Sequence, residues 1–221
     1  MTNVTSVFRP LLALFTAALL FSVPSFALDT PLSDTAVREA YFLGQRRDEA
    51  MAHFLNRYTK FLPPPNIGPH ISSISFLTPF ALLVQFSSRQ SNYSAQQAQK
   101  DHRPDEELVS IQIDIQLTQS YGPFVTKPTG SRVGSTGYQL RSPGFWQAFK
   151  FHVFDGEEEI KTEDVTGEPN YSCSDGGCIL TGATVRLQFP ANAFTSTSAG
   201  IDVIPPEGDR VSVDFDLSSL R

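Results

Sequence analysis

Hydrophobic and polar positions change rhythm twice along this chain. Val37, Ala40 and Tyr41 recur at helical spacing behind Ser33 or Asp34, either of which can cap, with Glu39 near the positive N-terminal end. A helix is predicted there, with Gly44 expected to interrupt it. A second helical stripe, Met51, Phe54, Leu55, Tyr58 and Leu62, runs from Arg47 to Phe61 and stops at Pro63, Pro64 and Pro65. Downstream of the prolines the period falls to two. Ile71 to Phe76 and Ala81 to Phe86 read as strands separated by a kink at Thr78-Pro79, and Ser94 to Lys100 as a short capped surface helix. Leu108 to Thr118 is the clearest strand, with Val109, Ile111, Ile113, Ile115 and Leu117 alternating against polar neighbours. Burying those five side chains is worth about 7–15 kcal/mol before ordering entropy is subtracted.

Residues 123–144 are rich in Gly, Ser, Thr and Pro with little periodicity, so a long loop is predicted. Phe145 to Phe154 resumes as a strand. Asp155-Gly156 then supplies a hairpin turn into Glu157 to Thr162. A hairpin around Cys173 and Cys178, the alternating run Val185, Leu187 and Phe189, and the pair Ile201 to Ile204 and Val211 to Leu217 complete eight or nine strands. No crossover helices alternate with them. The expected fold is therefore mainly β, an antiparallel β-sandwich of immunoglobulin-like general architecture with an N-terminal helical segment, and a closed barrel is the runner-up. The expected division is 1–27 leader, 28–66 helical segment and 67–221 sandwich.

The leader rests on its own pattern: Arg9, an apolar run from Leu11 to Val23, then Pro24, Ser25 and Ala27. That is the layout of a cleaved export signal, with the cut expected between Ala27 and Leu28. The apolar run is too short to span a bilayer, and no Cys follows the cut to take a lipid anchor. Without Arg9 the formal charge moves from −6 to −7, with no basic cluster, which argues against nucleic acid. Eighteen Phe against one Trp favour a packed β core over a stacking platform for sugars. In an oxidising compartment Cys173 and Cys178 are expected to bond to each other, ahead of a redox pair or half a zinc site.

Chemistry-bearing groups are scattered. The acidic turn Asp155 to Glu159 has carboxylates for calcium but lacks a calcium loop's spacing, and reads first as a solvated hairpin tip. His53, His70, His102 and His152 share no ligand spacing, and Asp101-His102 with Asp105 and Glu106 reads as a surface loop. No G-x-S-x-G and no phosphate-cradling glycine loop is present. No catalytic residue, metal or cofactor is assigned. Arg38, Gln45 and Glu49 are weak binding candidates if they project together from one helix. Asn92 and Asn170 each stand in Asn-Tyr-Ser, a glycan acceptor only in a glycosylating host.

The strings Val37 to Gln45, Tyr93 to Ala98 and Gly167 to Cys173 resemble a group of uncharacterised exported proteins of environmental bacteria. The resemblance covers most of the mature chain, and no activity or catalytic residue comes with it. The leading expectation is a secreted or periplasmic, non-enzymatic binding or structural module. It would present loops or its helical segment to a protein or envelope polymer, without nucleic acid and without a membrane span in the mature chain. Two alternatives stand beside it. One is an extracellular hydrolase of a polymer, with or without a metal, built from the 123–144 loop with the strand ends around His152 and Asp155. The other is a carbohydrate-binding sandwich using Trp146, Tyr138 and Tyr121.

Overall fold

A computed structural model describes residues 28–128, 136–162 and 164–221, so the expected leader and its cut lie outside the described residues except for Leu28. Among them the chain is mainly β, with antiparallel sheets and four α-helices. Helix α1, Asp34–Arg46, starts where Ser33 accepts a hydrogen bond from the Ala36 N–H at 3.2 Å. It ends at Arg47, whose φ of 51° is left-handed. Asp48 then caps α2, Glu49–Asn56, accepting from Met51 N–H at 3.2 Å. The second helical stripe is thus shorter than its apolar positions suggest. Its last part is strand β1, Thr59–Phe61, paired with β2, His70–Leu77.

Ala81 to Phe86 is not a strand: it lies within α3, Pro79–Arg89. Thr78 accepts from the Ala81 N–H at 3.2 Å and Pro79 occupies the first turn, where its missing N–H costs nothing. The buried positions Phe80, Ala81, Val84 and Ser87 then repeat at helical spacing. Helix α4, Ala95–Asp101, is capped by Ser94 as its sequence predicts. Helices α1, α3 and α4 enclose their own apolar cluster of Leu32, Ala36, Val37, Ala40, Phe80, Val84 and Ala98. Gly44 does not interrupt α1. It is buried inside the helix, where a Cβ would stand 2.4 Å from the Val84 carbonyl oxygen of α3.

The long alternating strand is β3, Leu108–Gln116, in the middle of a five-stranded sheet ordered β1-β2-β3-β9-β8. Its partners β8, Val165–Ser174, and β9, Gly177–Pro190, form a hairpin in which Cys173 and Cys178 oppose each other and are disulfide-bonded. A four-stranded sheet, order β11-β10-β6-β7, contains β6 Lys150–Asp155, β7 Glu158–Ile160, β10 Ser198–Ile204 and β11 Val211–Asp216. One core cluster draws on both sheets, joining Phe76, Ile113 and Leu187 of the first to Val153, Ile201 and Phe215 of the second. The Phe76 and Phe215 rings lie 5.7 Å apart.

Residues 123–144 are not one long loop. Phe124–Pro128 and Thr136–Leu140 form a two-stranded antiparallel ribbon, β4 and β5, and the stretch 129–135 between them lies outside the described residues. The strand expected from Phe145 begins only at Lys150, because Phe145–Ala148 make a 3₁₀ turn.

Candidate functional site

The β4–β5 ribbon is the one two-stranded sheet among the described residues. Its register opposes Phe124 to Leu140 and Thr126 to Tyr138, and side chains two apart on a strand share a face, so Phe124, Tyr138 and Leu140 stand together. They are 54%, 84% and 65% exposed. Together they offer water about 400 Å² of largely apolar surface, enough to count as a patch.

The ribbon's base, by contrast, is tightly built. Tyr121 is 3% exposed, and the Arg141 guanidinium lies 3.5 Å over its ring. Arg141 also donates from Nε to the Gly122 carbonyl and from its backbone N–H to the Pro123 carbonyl, both at 2.7 Å. Burial pushes the Tyr121 phenol above its ordinary pKa, against the opposing pull of Arg141. A hollow of about 550 Å³ at this base is lined by Tyr121, Val125, Gln139, Arg141 and Phe145. A rigid base thus holds out an uncovered apolar face.

The residues singled out from sequence do other things. Gln45 is a staple between helices, donating through Nε2 to the Ser87 carbonyl at 2.5 Å and the Gln90 carbonyl at 3.2 Å at the end of α3. Arg38 is exposed on α1, whereas Glu49 opens α2 beyond the left-handed break at Arg47. The three therefore do not project from one helix. Trp146 packs on Gly167 of β8 so closely that a Cβ there would come within 2.2 Å of the indole. With Tyr121 buried as well, Trp146, Tyr138 and Tyr121 make no row of exposed rings.

His152 and Asp155, grouped in the hydrolase alternative, do not converge, because residues three apart on a strand point to opposite faces. His152 Nδ1 lies 2.6 Å from Glu159 Oε1 on the outer face of the four-stranded sheet. Beside it across β10, Asp202 accepts from Ser212 Oγ at 2.5 Å and pairs with Arg210. Ser212 thus bonds the Asp202 carboxylate rather than the His152 imidazole. Asp155 is buried and spent on its own neighbourhood. Its carboxylate accepts from Thr195 N–H at 3.0 Å, Thr195 Oγ1 at 2.8 Å and Ser196 N–H at 2.9 Å.

Glu107 went unremarked in the sequence. It receives Thr30 Oγ1 at 2.5 Å and the Leu32 N–H at 2.6 Å, with His102 Nε2 3.1 Å away. It pins the segment after Leu28 to the wall of a groove of about 400 Å³ lined by Leu82, Leu83, Phe86, Tyr93 and Leu108. Among the described residues, no three His, Cys, Asp or Glu side chains lie close enough to hold a metal ion. No helix among them is long and apolar enough to cross a membrane. No family model matches the chain, and no curated protein does.

Proposed function

We propose that this chain is an exported, non-enzymatic binding module whose two large sheets pack face to face as a sandwich, immunoglobulin-like in general architecture alone, and hold the β4–β5 ribbon toward a partner in the cell envelope. One observation carries the reading: the uncovered face of Phe124, Tyr138 and Leu140 on a ribbon with a rigid base. Apolar side chains gathered this way and left in water mark interaction surfaces. The sandwich is supported by the single core drawn from both sheets.

Export is supported by the leader pattern of residues 1–27 and by the Cys173–Cys178 bond, since such bonds persist in oxidising compartments. The test expresses the full chain with its leader, sequences the exported product and follows it in washed envelope fractions. The product is expected to begin at Leu28 and to stay with the envelope, and the variant Phe124→Ser, Tyr138→Ser, Leu140→Ser is expected to be released. Retention unchanged in that variant would refute the ribbon as the binding surface.

A further inference from the structure

We infer that Asp175-Gly176 is a site of spontaneous covalent modification, converting to an isoaspartyl linkage as the folded protein ages. The chemistry needs water alone. The Gly176 backbone nitrogen attacks Cγ of Asp175, a C–N bond forms, and the amide proton leaves with the carboxyl hydroxyl as water. Addition of water to the resulting succinimide then opens either of its C–N bonds. One opening restores aspartate, and the other routes the main chain through the side-chain carbonyl with no net change in mass.

Two Asp-Gly pairs occur in the sequence, and the fold treats them oppositely. At Asp155-Gly156 both reacting groups are tied down. Asp155 is 9% exposed, its two carboxylate oxygens accept from the Thr195 and Ser196 N–H groups, and the Gly156 N–H donates to the Ser198 carbonyl at 2.9 Å. Asp175 and Gly176 instead form the turn of the β8–β9 hairpin, between Ser174 and Gly177. Strand β3 pairs with β9 only as far as Gly182, so the turn stands beyond its neighbour, and residues 171–179 are all exposed. Among the described residues neither the Asp175 carboxylate nor the Gly176 N–H has a hydrogen-bond partner. A methyl built on Gly176 would meet nothing nearer than Ser174 Oγ at 4.0 Å. With no side chain on the attacking residue and no neighbour over it, the nitrogen can swing onto Cγ through a small local opening. The Cys173–Cys178 bond, one pair below the turn, confines that opening to the tip and keeps the strands together afterwards.

The experiment ages the purified protein, disulfide intact, over weeks at neutral pH, then unfolds it and digests it with an endoprotease that cuts before aspartate and not before isoaspartate. Cleavage at Asp175 is expected to be lost progressively, the uncut peptide keeping its mass, while cleavage at Asp155 persists. Gly176→Val places a branched side chain beside the attacking nitrogen and should hold cleavage at Asp175 near its starting level. Asp175→Asn, with ammonia as its leaving group, should gain isoaspartate faster than the parent. The reduced chain aged in urea should lose cleavage at both positions, because the bonds that protect Asp155 exist only in the fold. Full cleavage at Asp175 in the aged folded protein, equal loss at Asp155, no effect of Gly176→Val, or an Asp155 as intact in urea as in the fold would each overturn the inference.

Discussion

Replacing Gly44 by Ala sets two effects of known sign against each other. In an isolated helix the change would stabilise α1 by about 1 kcal/mol, because Gly surrenders more backbone entropy than Ala. Here the new methyl would meet the Val84 carbonyl oxygen at 2.4 Å, Ser87 Cβ at 2.9 Å and Ser88 N at 3.1 Å. Two of those atoms are backbone of α3 and cannot rotate away, so the helices must part by roughly an ångström, and overpacking of that kind costs about 1–3 kcal/mol or more. The same separation stretches the Gln45 bonds to Ser87 and Gln90, which lie at the crossing and are worth about 1 kcal/mol each. The net expectation is a loss of about 1–3 kcal/mol, a fall of about 2–10 °C in Tm for a chain of this size. Thermal melts by circular dichroism, with Thr35→Ala on the exposed side of α1 as the control expected to be neutral or slightly stabilising, make the comparison. A Gly44→Ala protein as stable as the parent would refute the close crossing of α1 and α3.

Other outcomes follow from single side chains. Asp155→Ala strips the acceptor from two N–H groups and a hydroxyl, and should cost about 3 kcal/mol in urea unfolding, with Asp155→Asn recovering part of it. Because that carboxylate is already occupied, millimolar calcium should leave Tm unchanged, and a rise would restore the calcium reading of the Asp155–Glu159 turn. Converting Cys173 and Cys178 to Ser opens a loop with a sequence separation of only 5 and should cost no more than about 2 kcal/mol, read as a small Tm shift with the β-sheet spectrum retained. Tyr58 is held neutral chiefly by burial, its phenol bonded to the Arg221 carbonyl at 2.9 Å, so its folded pKa is raised. Its contribution is full below the unfolded value near 10 and is lost as pH rises from there toward the folded value. Tyr58→Phe should cost about 1 kcal/mol at neutral pH and flatten the alkaline decline. The decline will not vanish, since Tyr93 and Tyr121 are raised in the same direction.

What could be read from sequence alone was whatever the chain does locally. The caps Ser33 and Ser94 act within three residues, and β3 shows its buried face in every second side chain, so α1, α4 and β3 were visible as strings. Ala81 to Phe86 misled because a short, almost continuous apolar run fits a buried strand or a buried helix equally well. Thr78-Pro79 held the answer: Thr as cap and Pro in the first turn start a helix, yet the same pair also reads as a strand kink. Gly44 was opaque for a different reason. Its role is set by an α3 carbonyl forty residues away, and no local pattern distinguishes a glycine that ends a helix from one that lets another helix approach.

The ribbon escaped the reading for a reason tied to its proposed role. Periodicity reveals elements that bury one face against the body of the protein, because selection for a core makes apolar and polar positions alternate. Phe124 with Thr126 and Tyr138 with Leu140 have the two-residue spacing, but their face is left exposed among the described residues, and the surrounding Gly, Ser, Thr and Pro read as loop. An isolated two-stranded ribbon is at best marginally stable, so this one needs the buried Tyr121 and the stacked Arg141 at its foot to hold its shape. Those anchors stand twenty residues apart, and only folding shows that they are a pair. Asp155, Gln45 and Trp146 run the other way: each looks like chemistry in the sequence, and each is used up by a partner at least twenty residues distant. An apolar spacing with no internal partner among the described residues is thus a better guide to the proposed working surface here than any of the reactive side chains.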